Sequence, residues 1–164
     1  LKFHNFKVIA GRWKIIDPLG VGGCGSVYKV LDREQAGRFA ALKAETSAAA
    51  DFGLLKLEVV VLRKLSSVSY PMRLYDAGKL PIYSFMVLSL GGPSLAELRG
   101  RSPGNRVSAA TICRIGIQTL ACLKQIHDIG FIHRDLKPEN VVSSGQRGLA
   151  ARQFCVIDFG RISS

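Results

Sequence analysis

Hydrophobic and polar side chains alternate with a period of two along several stretches before residue 91, a pattern typical of strands. Trp13–Ile16 and Ser26–Val30 show this alternation on either side of a glycine-rich segment, which predicts a hairpin over 19–30. The same pattern predicts three more strands, over 38–43, 73–77 and 83–90, with a turn over 78–81 between the last two.

Helical spacing replaces this alternation once within the β-rich part and again after it. Apolar residues recur every three or four positions from Leu54 to Leu65, which predicts an amphipathic helix over 53–65. Gly91-Gly92-Pro93 interrupts both patterns and is predicted to be a hinge, with a short helix over 94–99 behind it. These patterns predict an α+β fold with three regions: an N-terminal extension over 1–11, a β-rich lobe with one helix over 12–90, and a hinge with the start of a helical lobe over 91–164.

One long helix is predicted in the second part of the chain. Ser108 is a suitable N-cap, the helix is expected to continue to His127, and Gly130 is expected to end it. Its buried side is predicted to carry five apolar residues, namely Ile112, Ile115, Leu120, Leu123 and Ile126.

A glycine-rich motif lies at the tip of the predicted hairpin. Residues 20–27 satisfy the pattern G-x-G-x-x-G-x-V, with glycines at Gly20, Gly22 and Gly25. Glycines let a backbone approach phosphate oxygens closely, with amide N–H groups pointing inward. The motif alone is weak evidence, because dinucleotide-binding folds begin with a similar one, but here a strand and not a helix follows it.

Two charged residues follow this motif in an informative order. Lys43 ends an Ala-Leu-Lys strand sixteen residues after Val27, and Glu58 lies on the helix that comes next. A lysine in that place can reach the phosphates of a nucleotide, and a carboxylate can hold its ammonium group by an ion pair. Either residue alone is more simply a surface charge, so the prediction rests on the order of the elements.

A second set of polar residues predicts phosphoryl transfer. Residues 133–140 read His-Arg-Asp-Leu-Lys-Pro-Glu-Asn, and Asp158-Phe159-Gly160 follows eighteen residues after Asn140. Asp135 and Asn140 on a tight loop can face a hydroxyl group and a metal ion together, while Asp158 can hold the metal from the other side.

With these motifs in this order, the chain resembles a eukaryotic protein kinase from about residue 12 to its last residue. Three segments resemble the casein kinase 1 and tau-tubulin kinase group within that family: Arg12-Trp13-Lys14, Lys56-Leu57-Glu58-Val59 and Leu90-Gly91-Gly92-Pro93-Ser94-Leu95. The resemblance implies a protein-kinase-like α+β fold and transfer of the γ-phosphate of ATP to Ser/Thr hydroxyls of a protein substrate. The Leu-Lys-Pro-Glu segment at 136–139 is typical of serine/threonine kinases.

The resemblance also assigns an ATP site. It implies that Gly20, Gly22 and Gly25 cover the triphosphate, that Lys43 binds it and that Glu58 positions Lys43. It implies that Val27 and Ala41 lie above the adenine and Val142 below it, that Leu88 is the gatekeeper, and that the backbone of Ser89, Leu90 and Gly91 binds the adenine edge. Glu97 is expected near the ribose. Leu62, Leu74, His133 and Phe159 are expected to form an apolar column, although ordinary core packing explains them equally well.

For catalysis, the resemblance implies that Asp135 accepts the proton of the substrate hydroxyl and that Lys137 offsets the charge of the moving phosphoryl group. Asn140 and Asp158 are expected to bind Mg²⁺. Arg134 is expected to bind the activation segment or a phosphate. As an isolated residue, Asp135 would instead be a turn-stabilising aspartate.

The charge and composition of the chain favour some classes of partner over others. The chain has 23 Lys+Arg against 12 Asp+Glu, a net charge of +11, which favours acidic partners such as a nucleotide. The basic residues are scattered and not interleaved with aromatic ones, so a nucleic-acid partner is not expected. Apolar runs are too short for a membrane span. The four cysteines lack metal-ligand spacing, and the sequence shows no secretory signal. We therefore expect free thiols and a cytoplasmic location, with the nucleus as a second site. The oligomeric state is not indicated.

Three departures from the kinase pattern keep alternatives open. Arg161 follows Asp-Phe-Gly where an apolar residue is usual, Cys24 replaces a frequent aromatic residue, and the chain ends at Ser164 before the expected activation segment. We therefore expect a fragment of a longer kinase that is inactive by itself. The alternatives are a catalytically inactive nucleotide-binding pseudokinase or scaffold and, with less support, a basic interaction module.

Overall fold

A computed structural model of the chain describes residues 8–22, 25–46, 53–145 and 153–163. The chain forms two units. We call Leu1–Val59 with Leu74–Leu90 the sheet unit, and Val60–Arg73 with Gly91–Ser164 the helical unit.

The described residues of the sheet unit form six antiparallel strands, namely β1 at Val8–Ile9, β2 at Trp13–Gly22, β3 at Gly25–Asp32, β4 at Phe39–Thr46, β5 at Leu74–Lys79 and β6 at Tyr83–Ser89. Their order in the sheet is β1-β2-β3-β4-β6-β5. Alternating burial along β3 and β4 places every second side chain on one face, as the period of two predicts. The predicted strands are confirmed, and β1 is an additional strand that the sequence analysis did not predict.

The core of the sheet unit lies on one face of this sheet. Val30, Leu42 and Val87, from three neighbouring strands, are fully buried there. Trp13 joins them, and its indole Nε1 donates a 2.7 Å hydrogen bond to Asp76 Oδ2 on β5. A buried indole N–H needs such a partner, so this contact ties β2 to β5 across the sheet.

An ion-pair network holds the start of β2 against the end of β3. The guanidinium of Arg12 donates from Nε and Nη2 to the two carboxylate oxygens of Asp32, at 2.9 and 2.8 Å. Glu34 and Arg38 extend the network at 3.1 and 3.4 Å. The hydrogen bonds from Arg12 lower the pKa of Asp32 to about 2, against the opposing effect of its burial.

The first helix in the described residues, α1, covers Leu54–Leu65 and confirms the predicted helix over 53–65. Its apolar residues recur at helical spacing, and Leu55, Val61, Leu62 and Leu65 are buried. The boundary between the units falls within α1, after Val59.

The helical unit contains α2 at Leu95–Arg101 and α3 at Ala109–Asp128. Ser108 caps α3 by accepting a hydrogen bond from Thr111 N at 3.2 Å, and Gly130 follows the helix with φ 88°, which confirms both predicted ends.

The helical unit also contains a two-stranded sheet that the sequence analysis did not predict. It pairs β7, Val141–Ser143, with β8, Phe154–Val156.

The predicted buried side of α3 was wrong in part. Ile115 and Ile126 are buried together with Cys122, but Ile112 and Leu120 are 58% and 67% exposed. α3 packs against β8 along a narrow stripe. At about 100° per residue, Leu120 lies about 140° around the helix from Ile115 and therefore falls outside that stripe.

No helix in the described residues is long and apolar enough to cross a membrane.

Candidate active site

Lys43 and Glu58 form an ion pair inside the sheet unit. Strand β4 buries Ala40, Leu42 and Ala44 on its core face and turns Lys43 to the opposite face, while α1 supplies Glu58. The side chains are 16% and 1% exposed, so both charges are largely removed from water. A buried carboxylate of this kind is tolerated only when it is paired, and the pair therefore links α1 to the sheet.

Three other predicted ATP-binding residues lie on the same sheet face as Lys43. Val27 is directly opposite Lys43 in the β3–β4 pairing, and Ala41 is directly opposite Leu88 in the β4–β6 pairing. Residues that face each other across antiparallel strands share one face. All three are half-buried, so the structure brings together an apolar surface and an ammonium group on this face.

The predicted phosphate-binding glycines lie where β2 and β3 meet. Gly22 pairs with Gly25 beside residues 23–24, and Cys24 therefore lies outside the described residues. Gly25 has φ 145°, and a Cβ there would collide with the carbonyl oxygen of Ala44, so a side chain is excluded. At Gly20 the space around a Cβ position is open, which leaves room for a ligand.

The remaining predicted adenine contacts fall in different units. Leu90 follows β6 in the sheet unit, whereas Val142 is buried in β7 of the helical unit. The predicted hinge is tied to β7: Gly92 N donates to Ser143 O at 2.9 Å, and Ser143 N donates to Pro93 O at 3.1 Å. A Cβ on Gly92 would lie 2.2 Å from Ser143 Oγ, so a side chain at position 92 would require the Ser143 hydroxyl to move.

Asp135, Lys137 and Asn140 form a second charged cluster, in the helical unit. Lys137 Nζ donates to Asp135 Oδ2 at 2.7 Å, and Asn140 Nδ2 donates to the same oxygen at 3.1 Å and to the Asp135 carbonyl at 2.9 Å. Asn140 ends a short 3₁₀ helix, Pro138–Asn140, whose turn carries its side chain back to Asp135. The structure thus brings together all three predicted catalytic residues.

Electrostatics keep Asp135 ionised. The hydrogen bond from Lys137 lowers the pKa of Asp135, burial opposes this shift, and the charges of Lys137 and Arg161 add to the lowering. Reciprocally, the hydrogen bond to Asp135 raises the pKa of Lys137, with a further contribution from Asp158. At neutral pH the cluster therefore carries a carboxylate that can accept a proton and an ammonium group that can neutralise an anion.

Two residues of this region adopt the left-handed conformation that non-glycine residues rarely take. Arg134 has φ 61° and Asp158 has φ 67°. Arg134 Nε donates to the carbonyl of Arg161 at 2.5 Å, and Ile157 N donates to the carbonyl of Asn140 at 2.8 Å. These contacts hold the 133–140 loop against the segment that carries Asp158.

His133 links the 133–140 loop to Ile157, which follows β8. Its Nε2 contacts the carbonyl of Ile157 at 3.1 Å, and its Nδ1 accepts a hydrogen bond from Asp135 N at 3.3 Å. A carbonyl can only accept, so Nε2 is the donor in this hydrogen bond. The ring packs edge-on against Phe159 at 5.6 Å between centroids.

Tyr70 is a site-supporting residue that the sequence analysis missed. Its hydroxyl donates to the carbonyl of Val156 at 2.6 Å, and its ring lies 6.3 Å from that of Phe159. No motif includes Tyr70, and a single tyrosine in the segment after α1 gives no sequence signal. Of the predicted apolar column, Leu62, His133 and Phe159 are buried in the helical unit, while Leu74 belongs to the sheet unit.

Glu97, predicted near a ribose, takes part in a helix cap. Its Oε2 accepts a hydrogen bond from Ser94 N at 2.8 Å, and its own N–H donates to Ser94 Oγ at 3.2 Å. This capping box begins α2 and accounts for Glu97 structurally.

The donor chemistry of the helical unit fits Mg²⁺. Asn140 uses Nδ2 for both side-chain hydrogen bonds described above, which makes its amide oxygen the available ligand, and Asp158 offers an exposed carboxylate. No group of three or more His, Cys, Asp or Glu residues with metal-binding geometry occurs among the described residues. Mg²⁺ at phosphate sites is commonly held by one or two carboxylates together with the phosphates and water.

Comparison with known proteins relates this geometry to a family. The model of the protein kinase domain matches residues 13–163. A Caenorhabditis elegans protein named as a serine/threonine-protein kinase is 42% identical over 153 residues, which covers 93% of this chain and 44% of that protein.

Two further relatives are similar over most of the chain. A Dictyostelium discoideum protein named as a serine/threonine-protein kinase is 33% identical over 161 residues, covering 96% of this chain and 31% of that protein. A C. elegans protein named as a casein kinase I is 31% identical over 157 residues, covering 94% and 46%. The chain spans less than half the length of each of these three relatives.

Proposed function

We infer that this chain, which belongs to the protein kinase domain family, supplies the nucleotide-binding and catalytic residues of an ATP- and Mg²⁺-dependent serine/threonine protein kinase. The observation that carries this proposal is the cluster of Asp135, Lys137 and Asn140, with both side-chain contacts made to Asp135 Oδ2.

This cluster suits proton transfer from a hydroxyl group. Because Lys137 and Asn140 hold Oδ2, we assign Oδ1 of Asp135 as the acceptor of the substrate hydroxyl proton. The lowered pKa of Asp135 keeps this oxygen unprotonated at neutral pH. Lys137 is 45% exposed, so its ammonium group can turn from Asp135 toward a phosphate anion.

ATP supplies the γ-phosphoryl group, and Mg²⁺ offsets its negative charge when both are bound. In the helical unit, Asn140 Oδ1 and the Asp158 carboxylate would hold the metal ion. In the sheet unit, Lys43, paired with Glu58, would hold the phosphates. Val27, Ala41 and Leu88 provide an apolar surface for the adenine on the same sheet face as Lys43.

The choice of Ser/Thr hydroxyls is supported by the names of the relatives and by the Leu136–Glu139 segment around Lys137. Membership of the casein kinase 1 and tau-tubulin kinase group is a narrower proposal, supported by the similarity to a protein named as a casein kinase I. A protein substrate follows from this proposal, and a cytoplasmic location stays a prediction.

Phosphotransfer by the full-length protein tests the proposal. We expect label from the γ-phosphate of ATP to reach serine and threonine but not tyrosine in a mixed peptide substrate, and only when Mg²⁺ is present. Lys137→Ala should lower the rate by about 10²-fold or more. Lys124→Ala is the matched control, because Lys124 Nζ also contacts an aspartate, Asp128 Oδ2 at 2.5 Å, but lies on the exposed surface of α3.

Two outcomes would contradict the proposal. ATP binding without transfer to any hydroxyl would favour the nucleotide-binding scaffold. Equal losses in Lys137→Ala and Lys124→Ala would remove the specific role of Lys137.

A further inference from the structure

Side chains, and not a third strand, bind the outer edge of β8 in the described part of the helical unit. Just beyond β8, Ile157 N donates to Asn140 O at 2.8 Å, so these two residues form a hydrogen-bonded pair. Bonded and non-bonded pairs alternate along an antiparallel ladder. The backbone groups of Val156 and Phe154 therefore point away from β7 and need partners of their own.

Three side chains supply these partners. The Tyr70 hydroxyl donates to Val156 O at 2.6 Å, and the Cys122 thiol donates weakly to Phe154 O at 3.8 Å. Gln118 Oε1 accepts a hydrogen bond from Phe154 N at 2.6 Å. Gln118 and Cys122 lie one turn apart on α3, whereas Tyr70 belongs to the segment after α1. Two distant parts of the chain thus hold one strand edge.

The Tyr70 hydroxyl is a permanent donor at this edge. Tyr70 is 6% exposed, and burial raises the pKa of its hydroxyl, so the hydroxyl keeps its proton. The Tyr70 ring also lies 6.3 Å from that of Phe159. Tyr70 therefore contacts the chain on both sides of Asp158, through its hydroxyl before that residue and through its ring after it.

The strand edge that Tyr70 holds leads directly to Asp158. Val156 lies two residues before Asp158, and Ile157 between them is bonded to Asn140. Asp158 itself has φ 67°, a conformation that a non-glycine residue keeps only when its surroundings hold it there. Groups that orient a metal ligand without touching the metal commonly change the metal affinity when they are removed.

We propose that Tyr70 is a positioning residue for Asp158: its hydroxyl holds the outer edge of β8 and thereby fixes the place of the Asp158 carboxylate. Gln118 and Cys122 hold the same edge at Phe154 and support this role. The role rests on the proposed function, in which Asp158 binds Mg²⁺.

Ordinary packing is the competing explanation for the Tyr70 contact, because any buried strand edge needs hydrogen-bond partners. A packing role alone predicts that loss of the hydroxyl lowers the melting temperature and leaves the response to Mg²⁺ unchanged. A positioning role predicts that the response to Mg²⁺ changes as well. Metal dependence, and not stability, therefore separates the two roles.

Tyr70→Phe in the full-length protein removes the hydroxyl and keeps the ring. The measurement is the Mg²⁺ concentration that gives half-maximal binding of a fluorescent ATP analogue. We expect this concentration to rise by about threefold or more, because a group that orients a metal ligand has been lost. The affinity for the analogue without Mg²⁺ should stay unchanged, since Lys43 and the apolar sheet face remain intact. Amide hydrogen exchange should become faster in residues 157–160.

Asp76→Ala is the matched control. It breaks a side-chain hydrogen bond of similar length, from Trp13 Nε1 to Asp76 Oδ2 at 2.7 Å, in the sheet unit. We expect Asp76→Ala to lower the melting temperature without changing the Mg²⁺ concentration at half-maximal binding. If Tyr70→Phe does not fold, Gln118→Met, which removes the acceptor for Phe154 N, should raise that Mg²⁺ concentration in the same way.

Asp158→Asn separates failure of this role from failure of the proposed function. If Asp158→Asn leaves the Mg²⁺ dependence unchanged, the proposed metal site is wrong, and the positioning role of Tyr70 is wrong with it. If Asp158→Asn weakens the Mg²⁺ dependence but Tyr70→Phe and Asp76→Ala both leave it as in the wild type, the proposed function stands and Tyr70 has a packing role only. Equal increases in Tyr70→Phe and Asp76→Ala would also overturn the positioning role, because general destabilisation would then explain them.

Discussion

The two charged clusters of this chain are built in opposite ways. In the sheet unit, Lys43 and Glu58 come from two regular elements, β4 and α1, and their side chains are 16% and 1% exposed. In the helical unit, Asp135 and Lys137 come from one irregular loop and their side chains are 19% and 45% exposed.

This difference separates stability from chemistry. A buried ion pair between two elements belongs to the packing of its unit, because removing one partner leaves a charge without water or a counter-charge. An exposed cluster within one loop holds few elements together, and solvent screens it. We therefore expect substitutions in the first cluster to destabilise the fold and substitutions in the second to abolish chemistry while the fold persists.

The largest expected effect is on phosphotransfer and follows replacement of Asp135. Asp135→Asn should lower the rate by about 10²–10⁴-fold, because the amide cannot accept the hydroxyl proton. ATP affinity should stay within a few-fold and the melting temperature close to that of the wild type, since Asp135 makes its side-chain contacts with Lys137 and Asn140 of the same loop. Asp128→Asn is the control, as Asp128 forms an exposed pair with Lys124. A rate above one tenth of wild type would remove Asp135 from the general-base role.

Replacement of Glu58 should affect stability most. Glu58→Gln leaves Lys43 without its buried counter-charge and should lower the free energy of unfolding by about 3–5 kcal/mol, measured by urea denaturation. Glu34→Gln removes a carboxylate that is 66% exposed from its contact with Arg12 and should cost about 0–1 kcal/mol. The double variant Lys43→Met/Glu58→Leu should be more stable than Glu58→Gln. Equal losses for Glu58→Gln and Glu34→Gln would contradict the contrast between the clusters.

A third charged contact, the Arg12–Asp32 ion pair of the sheet unit, should make the stability of the fold sensitive to acid. The folded-state pKa of Asp32 is lowered to about 2, so its ionised form stabilises the fold above about pH 4, and this contribution is lost as the pH falls toward 2. The difference in melting temperature between wild type and Asp32→Asn should therefore be present at neutral pH and disappear near pH 2. Asp17→Asn, at an exposed position of β2 outside this ion-pair network, is the control. A difference that persists at pH 2 would show that packing, not charge, explains the variant.

The smallest expected effect is chemical modification of a surface thiol. Cys113 is exposed, whereas Cys122 and Cys155 are buried, and burial raises the pKa of Cys155 to about 12. In the native protein a thiol reagent should therefore modify Cys113 and leave Cys122 and Cys155 unmodified until urea unfolds the chain, as read by mass spectrometry. We also expect Cys24, in the glycine-rich segment, to react faster than Cys113 and to be protected by ATP, because the amide N–H groups of such a segment favour a nearby anion. Early labelling of Cys155 would contradict the described packing of the helical unit.

The sequence predicted those parts of the molecule that depend on neighbours along the chain. The alternation in β3 and β4, the helical spacing of α1 and the Ser108 cap are local patterns, and the described elements match them. The candidate site was predictable for the same reason, since Asp135, Lys137 and Asn140 lie within six residues on one loop. Their roles stay predictions until activity is measured.

Only the tertiary structure decided contacts between distant residues. Val8–Ile9 forms a strand because Trp13 and Lys14 offer a pairing edge, and β7 needs β8, eleven residues further on, to form a ladder. The Tyr70 hydroxyl donates to the carbonyl of Val156, 86 residues further along the chain, and the Tyr70 ring lies beside that of Phe159. Ile112 and Leu120 face solvent because β8 covers a narrow stripe of α3. Apolar periodicity shows that a helix has a buried face, but which residues are buried depends on the width of the element that packs on it.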